Sequence, residues 1–193
     1  LPYYTHFNVA NRLLFTGHSH QAWPDCALEG QIEYFHASAN LIDKKWDLAF
    51  KKTEVLREYL RTYYDDPTGL YCREESTHFL FVSLMSAWNL VNKPKFIPSE
   101  GEFYSLARQL ARFSEAGLEV VKIPASIDED FLANIQNNLD NKTSAVMISR
   151  VYFQSGLINP HLCEIAKICR EHGVPLVIDD YHGTNVVPLS IQD

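Results

Sequence analysis

Four short segments carry the polar and aromatic side chains that could do chemistry. The last is Asp179-Asp180-Tyr181-His182-Gly183-Thr184-Asn185, directly after an apolar run. A carboxylate closing a buried strand is costly without a partner. Acid and histidine three apart could hold a heterocycle, with Asp179 pairing a ring N–H⁺ and His182 meeting a ring substituent. A metal held by Asp179, Asp180 and His182 is the other reading, but no second cluster has ligand spacing. The segment Arg73-Glu74-Glu75-Ser76-Thr77-His78 opens a helix. Free N–H groups, the helix dipole and two hydroxyls there suit a phosphate. A plain N-cap by Ser76 or Thr77 needs the same residues, and Glu74 and Glu75 would repel an anion. In Glu100-Gly101-Glu102-Phe103-Tyr104-Ser105 an aromatic could stack on a planar ligand or simply start a helix core. Ser149-Arg150-Val151-Tyr152-Phe153-Gln154-Ser155-Gly156 is either a ligand loop or an ordinary surface loop.

The elements that must position these segments follow from hydrophobic rhythm. Helical spacing runs over 25–39 (Leu28, Ile32, Phe35). It runs again over 43–64, where Trp46, Phe50, Leu56, Leu60 and Tyr63/Tyr64 form an apolar stripe. Asp65-Asp66-Pro67-Thr68-Gly69 breaks the chain. Residues 1–69 therefore read as an arm and helices, and 70–193 as an α/β part. In the second part, strands are expected at 70–72, 94–98, 118–123, 144–149 and 174–179, with helices at 76–92, 103–116, 128–139 and 160–172. Such alternation implies a mainly parallel sheet with helices on both faces. Ligands of such sheets sit off the carboxyl ends of the strands, where all four segments fall. The absence of a GxGxxG after a strand argues against a dinucleotide.

With 46% hydrophobic and 21% charged residues, the chain has a globular composition. A net charge of −7 without a basic cluster argues against nucleic acid or an anionic membrane as partner. No run approaches the ~20 apolar residues of a membrane span, and the first residues show no signal peptide, so a cytoplasmic location is expected. Cys26, Cys72, Cys163 and Cys169 lack CxxC spacing and read as small buried hydrophobes in a reducing compartment.

Taken in order, the segments resemble the pyridoxal-phosphate (PLP) enzymes of fold type I, class V, and among them kynureninase. Gly17-His18-Ser19-His20-Gln21-Ala22-Trp23-Pro24 is similar to the family's "GNSLG…P" stretch, and Phe103-Tyr104-Ser105-Leu106 to its "FP(S/T)D". Residues Ser149 to Gly156 resemble "SxVxFxTG", and Asp179-Asp180-Tyr181-His182 with Pro188 resembles "DLAH…P". Tyr104 and Leu106 stand where that motif has its proline and acid.

The resemblance implies that Ser76, Thr77 and His78 anchor the cofactor phosphate and that Phe103 covers the pyridine ring. Ser105 and Ser149 would lie at the cofactor. Asp179 would hold the ring nitrogen, with His182 beside the ring. It places the Schiff-base lysine after a further strand, expected beyond Asp193, so no catalytic residue is assigned within the chain. It implies a homodimer acting on an amino acid, by kynureninase-like hydrolytic C–C cleavage or by the chemistry of a class V aminotransferase, desulfurase or epimerase. A non-catalytic homologue lacking the lysine is the reading from a different class.

Overall fold

The structure, a computed structural model, describes residues 2–15, 21–126, 128 and 130–191. The N-terminal Gly17–His20 motif residues lie outside them. The chain divides into two compact units, Leu1–Cys72 with Leu189–Asp193, and Arg73–Pro188.

The first unit contains helices α1 (Asp25–Leu41) and α2 (Lys45–Tyr63). Asp25 sits in the first turn of α1, where its carboxylate accepts from the Thr5 amide and hydroxyl. These bonds hold the Asp25 carboxyl below its ordinary range. The expected apolar stripe is present in sequence but is not buried here: Trp46 is 51% and Phe50 65% exposed, and α2 has no buried residue. Leu28, Ile32 and Phe35 of α1 are likewise exposed. Periodicity specified the helices and not what covers them. The strand expected at 70–72 is absent; instead the Tyr71 and Gly69 carbonyls accept from the guanidinium groups of Arg57 and Arg61.

The second unit is the α/β part. Four parallel strands, β1 (Lys95–Pro98), β2 (Glu119–Val120), β3 (Thr143–Ser149) and β4 (Leu176–Asp179), form a sheet in the order β2-β1-β3-β4. Helices α3 (Thr77–Ser86), α4 (Tyr104–Glu115), α5 (Asp130–Asn138) and α6 (Leu162–Glu171) supply its cover. The period-2 alternation of β1 and β3 sends neighbouring side chains to opposite faces. Phe96, Ala145 and Met147 pack with Phe81, Met85, Leu106 and Leu110 from α3 and α4. Ile97, Val146 and Ile148 pack with Phe131, Ile135, Ile165 and Cys169 from α5 and α6. The two-faced α/β sheet expected from the sequence is the fold observed.

Three expectations change. The 118–123 strand shrinks to two residues plus a bridge between Ser99 and Ile123. The 174–179 strand is not fully buried, because β4 lies at the sheet margin and its Ile178 is exposed. Three of the four cysteines are exposed and only Cys169 is buried, so the core reading holds for that one alone. Burial in the apolar layer pushes the Cys169 thiol up to about 11. Among the described residues no helix is long and apolar enough to cross a membrane.

Phe96 is fully buried and packs its ring 5.7 Å from Trp88. Phe96→Ala should lower unfolding free energy by about 3–5 kcal/mol, measured by urea denaturation, through lost apolar burial and the cavity left behind.

Candidate functional site

The chain leaves β1 toward the α3/α4 face and leaves β3 toward the α5/α6 face. The gap between the carboxyl ends of these neighbouring strands is the switch point of the sheet, the place where α/β folds open a crevice. The sequence puts Ser99 to Phe103 at one side of it, Ser149 to Phe153 at the other, and Asp179 to His182 next to them.

Glu102 occupies the switch point. Its residue is only 4% exposed. The main chain turns away from the sheet after Ser99, so the Ser149 amide has no backbone acceptor from β1. The Glu102 carboxylate takes that place, accepting the Ser149 amide at 2.9 Å and the Ser149 hydroxyl at 2.7 Å. The Ser99 hydroxyl donates to Oε1, the oxygen that also accepts the Ser149 amide, while the Ser149 hydroxyl meets Oε2. Burial pushes the Glu102 carboxyl up to about 7, against the pull of these three donors, and the nearby Asp179 charge pushes in the same direction. Glu102 was quoted in the sequence but given no role. The signal was a carboxylate directly before the aromatic that starts α4, one residue after a glycine.

Gly101 permits this geometry. A Cβ there would lie 2.4 Å from the Tyr152 ring and 3.0 Å from the Ala125 side chain. Tyr152 is buried over the glycine, near Ser99, Asn159 and Glu102, and burial raises its hydroxyl above the ordinary range. The Tyr152 hydroxyl and the Asn159 Nδ2 are both buried without a hydrogen-bond partner among the described residues, while Asn159 Oδ1 accepts the His161 amide at 2.9 Å. The side chains of Ser99 and Asn159 beside the phenol act against that rise.

Arg150, 3% exposed, holds the loop after β4. Its guanidinium takes the Asp180 carboxylate through Nε and, at 3.1 Å, through Nη2. Nη1 donates to the Pro188 carbonyl at 2.8 Å, and the Thr184 hydroxyl donates to Asp180. This fork-to-fork pairing is the strong form of a charged hydrogen bond. Gly183 packs so close that a Cβ would lie 2.1 Å from the Asp180 oxygen and 2.6 Å from the Arg150 nitrogens. Asp180 is thereby committed, which removes it from the metal reading. Among the described residues no group of three His, Cys, Asp or Glu could hold a metal ion.

Several residues singled out in the sequence come together. Ser149 is the register partner of Asp179 across β3 and β4. The Asp179 carboxylate is half-buried and accepts the Tyr181 amide through Oδ1 at 2.9 Å. Phe103 lies 5.7 Å from the His182 ring and 5.0 Å edge-on from Phe153. Phe153 in turn stacks on His182 at 6.1 Å and meets Tyr104 at 5.2 Å. These aromatics form one wall beside the strand ends. Ser105, in the first turn of α4, is half-buried.

The segment Ser76–His78 stands apart. Ser76 caps α3, accepting the Phe79 amide at 3.4 Å, and His78 packs on Phe79. Ser76 and His78 are exposed and Thr77 is half-buried. Among the described residues Ser76, Thr77 and His78 make their contacts within α3, which packs on α4 through Phe81 and Phe113.

No family model matches the chain, and no curated protein matches it. Solved structures do. One is a lysine-to-alanine mutant of C-DES with glycine covalently linked to the PLP cofactor, at TM-score 0.78 and 20% identity, over 95% of this chain and 50% of that one. The complex of the cystine C–S lyase C-DES with its product cysteine persulfide matches at TM-score 0.75 and 20% identity, over 95% and 51%. DndA from Streptomyces lividans matches at TM-score 0.67 and 20% identity, over 88% and 49%. The chain thus spans about half the length of these structures and shares their fold.

Two outcomes are expected from this geometry. Arg150→Ala strands a carboxylate that is mostly buried and should cost about 3–5 kcal/mol by chemical denaturation. Glu102→Gln should change how stability depends on pH. Between pH 4.5 and about 7 the folded Glu102 keeps a proton that the unfolded chain loses, so stability falls as pH rises through that window and is level above it. Raising the midpoint from 4.5 to about 7 corresponds to about 3 kcal/mol. The Gln variant should lack that slope and gain stability relative to the parent at pH 8.

Proposed function

We propose that this chain is the cofactor-binding part of a PLP-dependent enzyme that acts on an amino acid. The observation that carries the reading is the placement of Asp179 at a strand end, beside a wall built from Phe103, Phe153 and His182. The C-DES folds that bear this cofactor support it.

The residues fit the group. PLP supplies an electron sink for bonds at the amino acid's α-carbon, and a protonated ring nitrogen strengthens it. Asp179 would hold that proton at the ring nitrogen by charge pairing. Among the described residues its hydrogen-bond donor is the Tyr181 amide on Oδ1, so Oδ2 is open to a cation. Phe103 and His182 would fix the ring plane, and Ser105 and Ser149 would add hydroxyls at the rim. The first turn of α3, with Ser76, Thr77 and His78 and no acid within it, would receive the phosphate. No lysine here is assigned to the Schiff base. Lys95 and Lys142 lie at the amino ends of β1 and β3, away from the carboxyl ends of the strands, Lys95 pairs with Asp140 at 3.0 Å, and Lys167 is on α6.

Of the reactions the resemblance leaves open, desulfurase-type cleavage of a C–S bond in a cysteine-like amino acid is preferred to kynureninase-like hydrolysis. A matched fold is that of a cystine C–S lyase. The kynureninase motif also loses its polar contacts here, since Leu106 is turned into the core and Tyr104 is exposed. A homodimer belongs to the same reading, supported by the exposed apolar residues of α1 and α2.

The test is a calorimetric titration of the 193-residue chain with pyridoxamine 5′-phosphate, which carries the ring and phosphate without a reactive aldehyde. Asp179→Ala should weaken binding by about tenfold or more, the equivalent of ~1.4 kcal/mol. Equal affinity in that variant would overturn the role given to Asp179.

A further inference from the structure

The buried Glu102 carboxyl is not used by the site as described so far. It sits on one side of Ser149, and Asp179 sits on the other, in register across β3 and β4. Three donors converge on it, from the Ser99 hydroxyl, the Ser149 amide and the Ser149 hydroxyl. The ionisable groups around it are Asp179 from the end of β4 and Tyr152 from the loop after β3. Arg150 is adjacent in sequence to Ser149, but its guanidinium is committed to Asp180. His182 lies against Phe103 and Phe153. The charged side chain that acts on Glu102 is Asp179, and it acts in the same direction as burial.

We propose that Glu102 is a proton-holding positioning residue whose protonation follows the charge carried at Asp179. Burial and, less strongly, repulsion from Asp179 disfavour an ionised Glu102 and raise its protonated fraction. That proton leaves one carboxyl oxygen as acceptor for the Ser149 amide, so the end of β3 stays fixed. A cationic ring nitrogen paired with Asp179 would weaken that repulsion. The Glu102 midpoint would then fall, and a larger fraction of Glu102 would be carboxylate, held by the same three donors. Binding of the ring is thus linked to release of a proton at a residue that does not touch it. This use of the coupling rests on the role proposed for Asp179 above; the coupling itself is a property of the free chain. Burial and the Asp179 charge both act on Glu102 in the direction required.

The experiment is a carbon-13 NMR titration of the Glu102 carboxyl in the free chain. The parent should titrate near 7. Asp179→Asn, which keeps an acceptor for the Tyr181 amide, should lower that midpoint by about half a pH unit or more. Asp179→Ser should act in the same direction and serves if the Asn variant does not fold. Ser149→Ala, which removes a donor to the carboxylate, should raise the midpoint. A Glu102 raised by burial alone would titrate without regard to Asp179. A parent midpoint in the ordinary carboxylate range, or one unmoved by both Asp179 variants, overturns the proposal. Because no cofactor is present, this result is independent of the pyridoxamine 5′-phosphate titration. Coupling without ring binding sinks the cofactor reading alone, and ring binding without coupling sinks only this one.

Discussion

The second unit is organised around a strand that cannot reach water. All seven residues of β3 are buried, with apolar layers on both sides. Backbone hydrogen bonds satisfy its middle, where neighbouring strands run alongside. At its carboxyl end those neighbours diverge, and the polar groups of Ser149 and Arg150 remain in a low-dielectric place. A buried donor without a partner costs more than a made bond returns. Side chains solve the problem. Glu102 returns from the far side of a turn to accept from Ser149, and Asp180 comes from the next strand to meet Arg150. The polarity that a ligand site needs is assembled as the solution to a folding problem.

The two devices differ in electrostatics. Arg150 and Asp180 neutralise one another, and their pairing draws the loop to Pro188 into a fixed course. Glu102 is held by neutral donors and pushed up by burial, so its ionisation remains adjustable. The carboxyl end of the strand is therefore anchored on one side by a balanced pair and on the other by an acid that responds to its surroundings. Glycines at 101 and 183 make room for both, since a single methyl at either place would strike a ring or an ion pair.

Much of this was legible in the sequence. The alternation of short apolar runs with helical stretches specified the α/β sheet, because period 2 and period 3.6 are dictated by backbone geometry. The apolar run before Ser149 marked the buried strand, and the acid-to-histidine spacing marked Asp179 and His182. The sequence was less informative where burial depends on partners outside a segment. The helical stripes of Leu28, Ile32, Trp46 and Phe50 indicated helices, yet these side chains face outward. Cys26, Cys72 and Cys163 are exposed for the same reason, since residue type states a tendency and not an address. Glu102 went unread because nothing local shows that a carboxylate will fold back onto a strand some 47 residues later. Asp180 likewise looked like a ligand until its partner, 30 residues earlier in sequence, was visible.

The marginal position of β4 has an effect on handling. Its inner side is bonded to β3, while among the described residues no strand pairs with its outer side, and Ile178 is exposed there. A row of open peptide groups beside apolar side chains is a template for adding another strand, including one from an identical molecule. Concentrated solutions of the 193-residue chain are therefore prone to sheet-to-sheet aggregation along this margin, and a charged residue in place of Ile178 is the direct remedy.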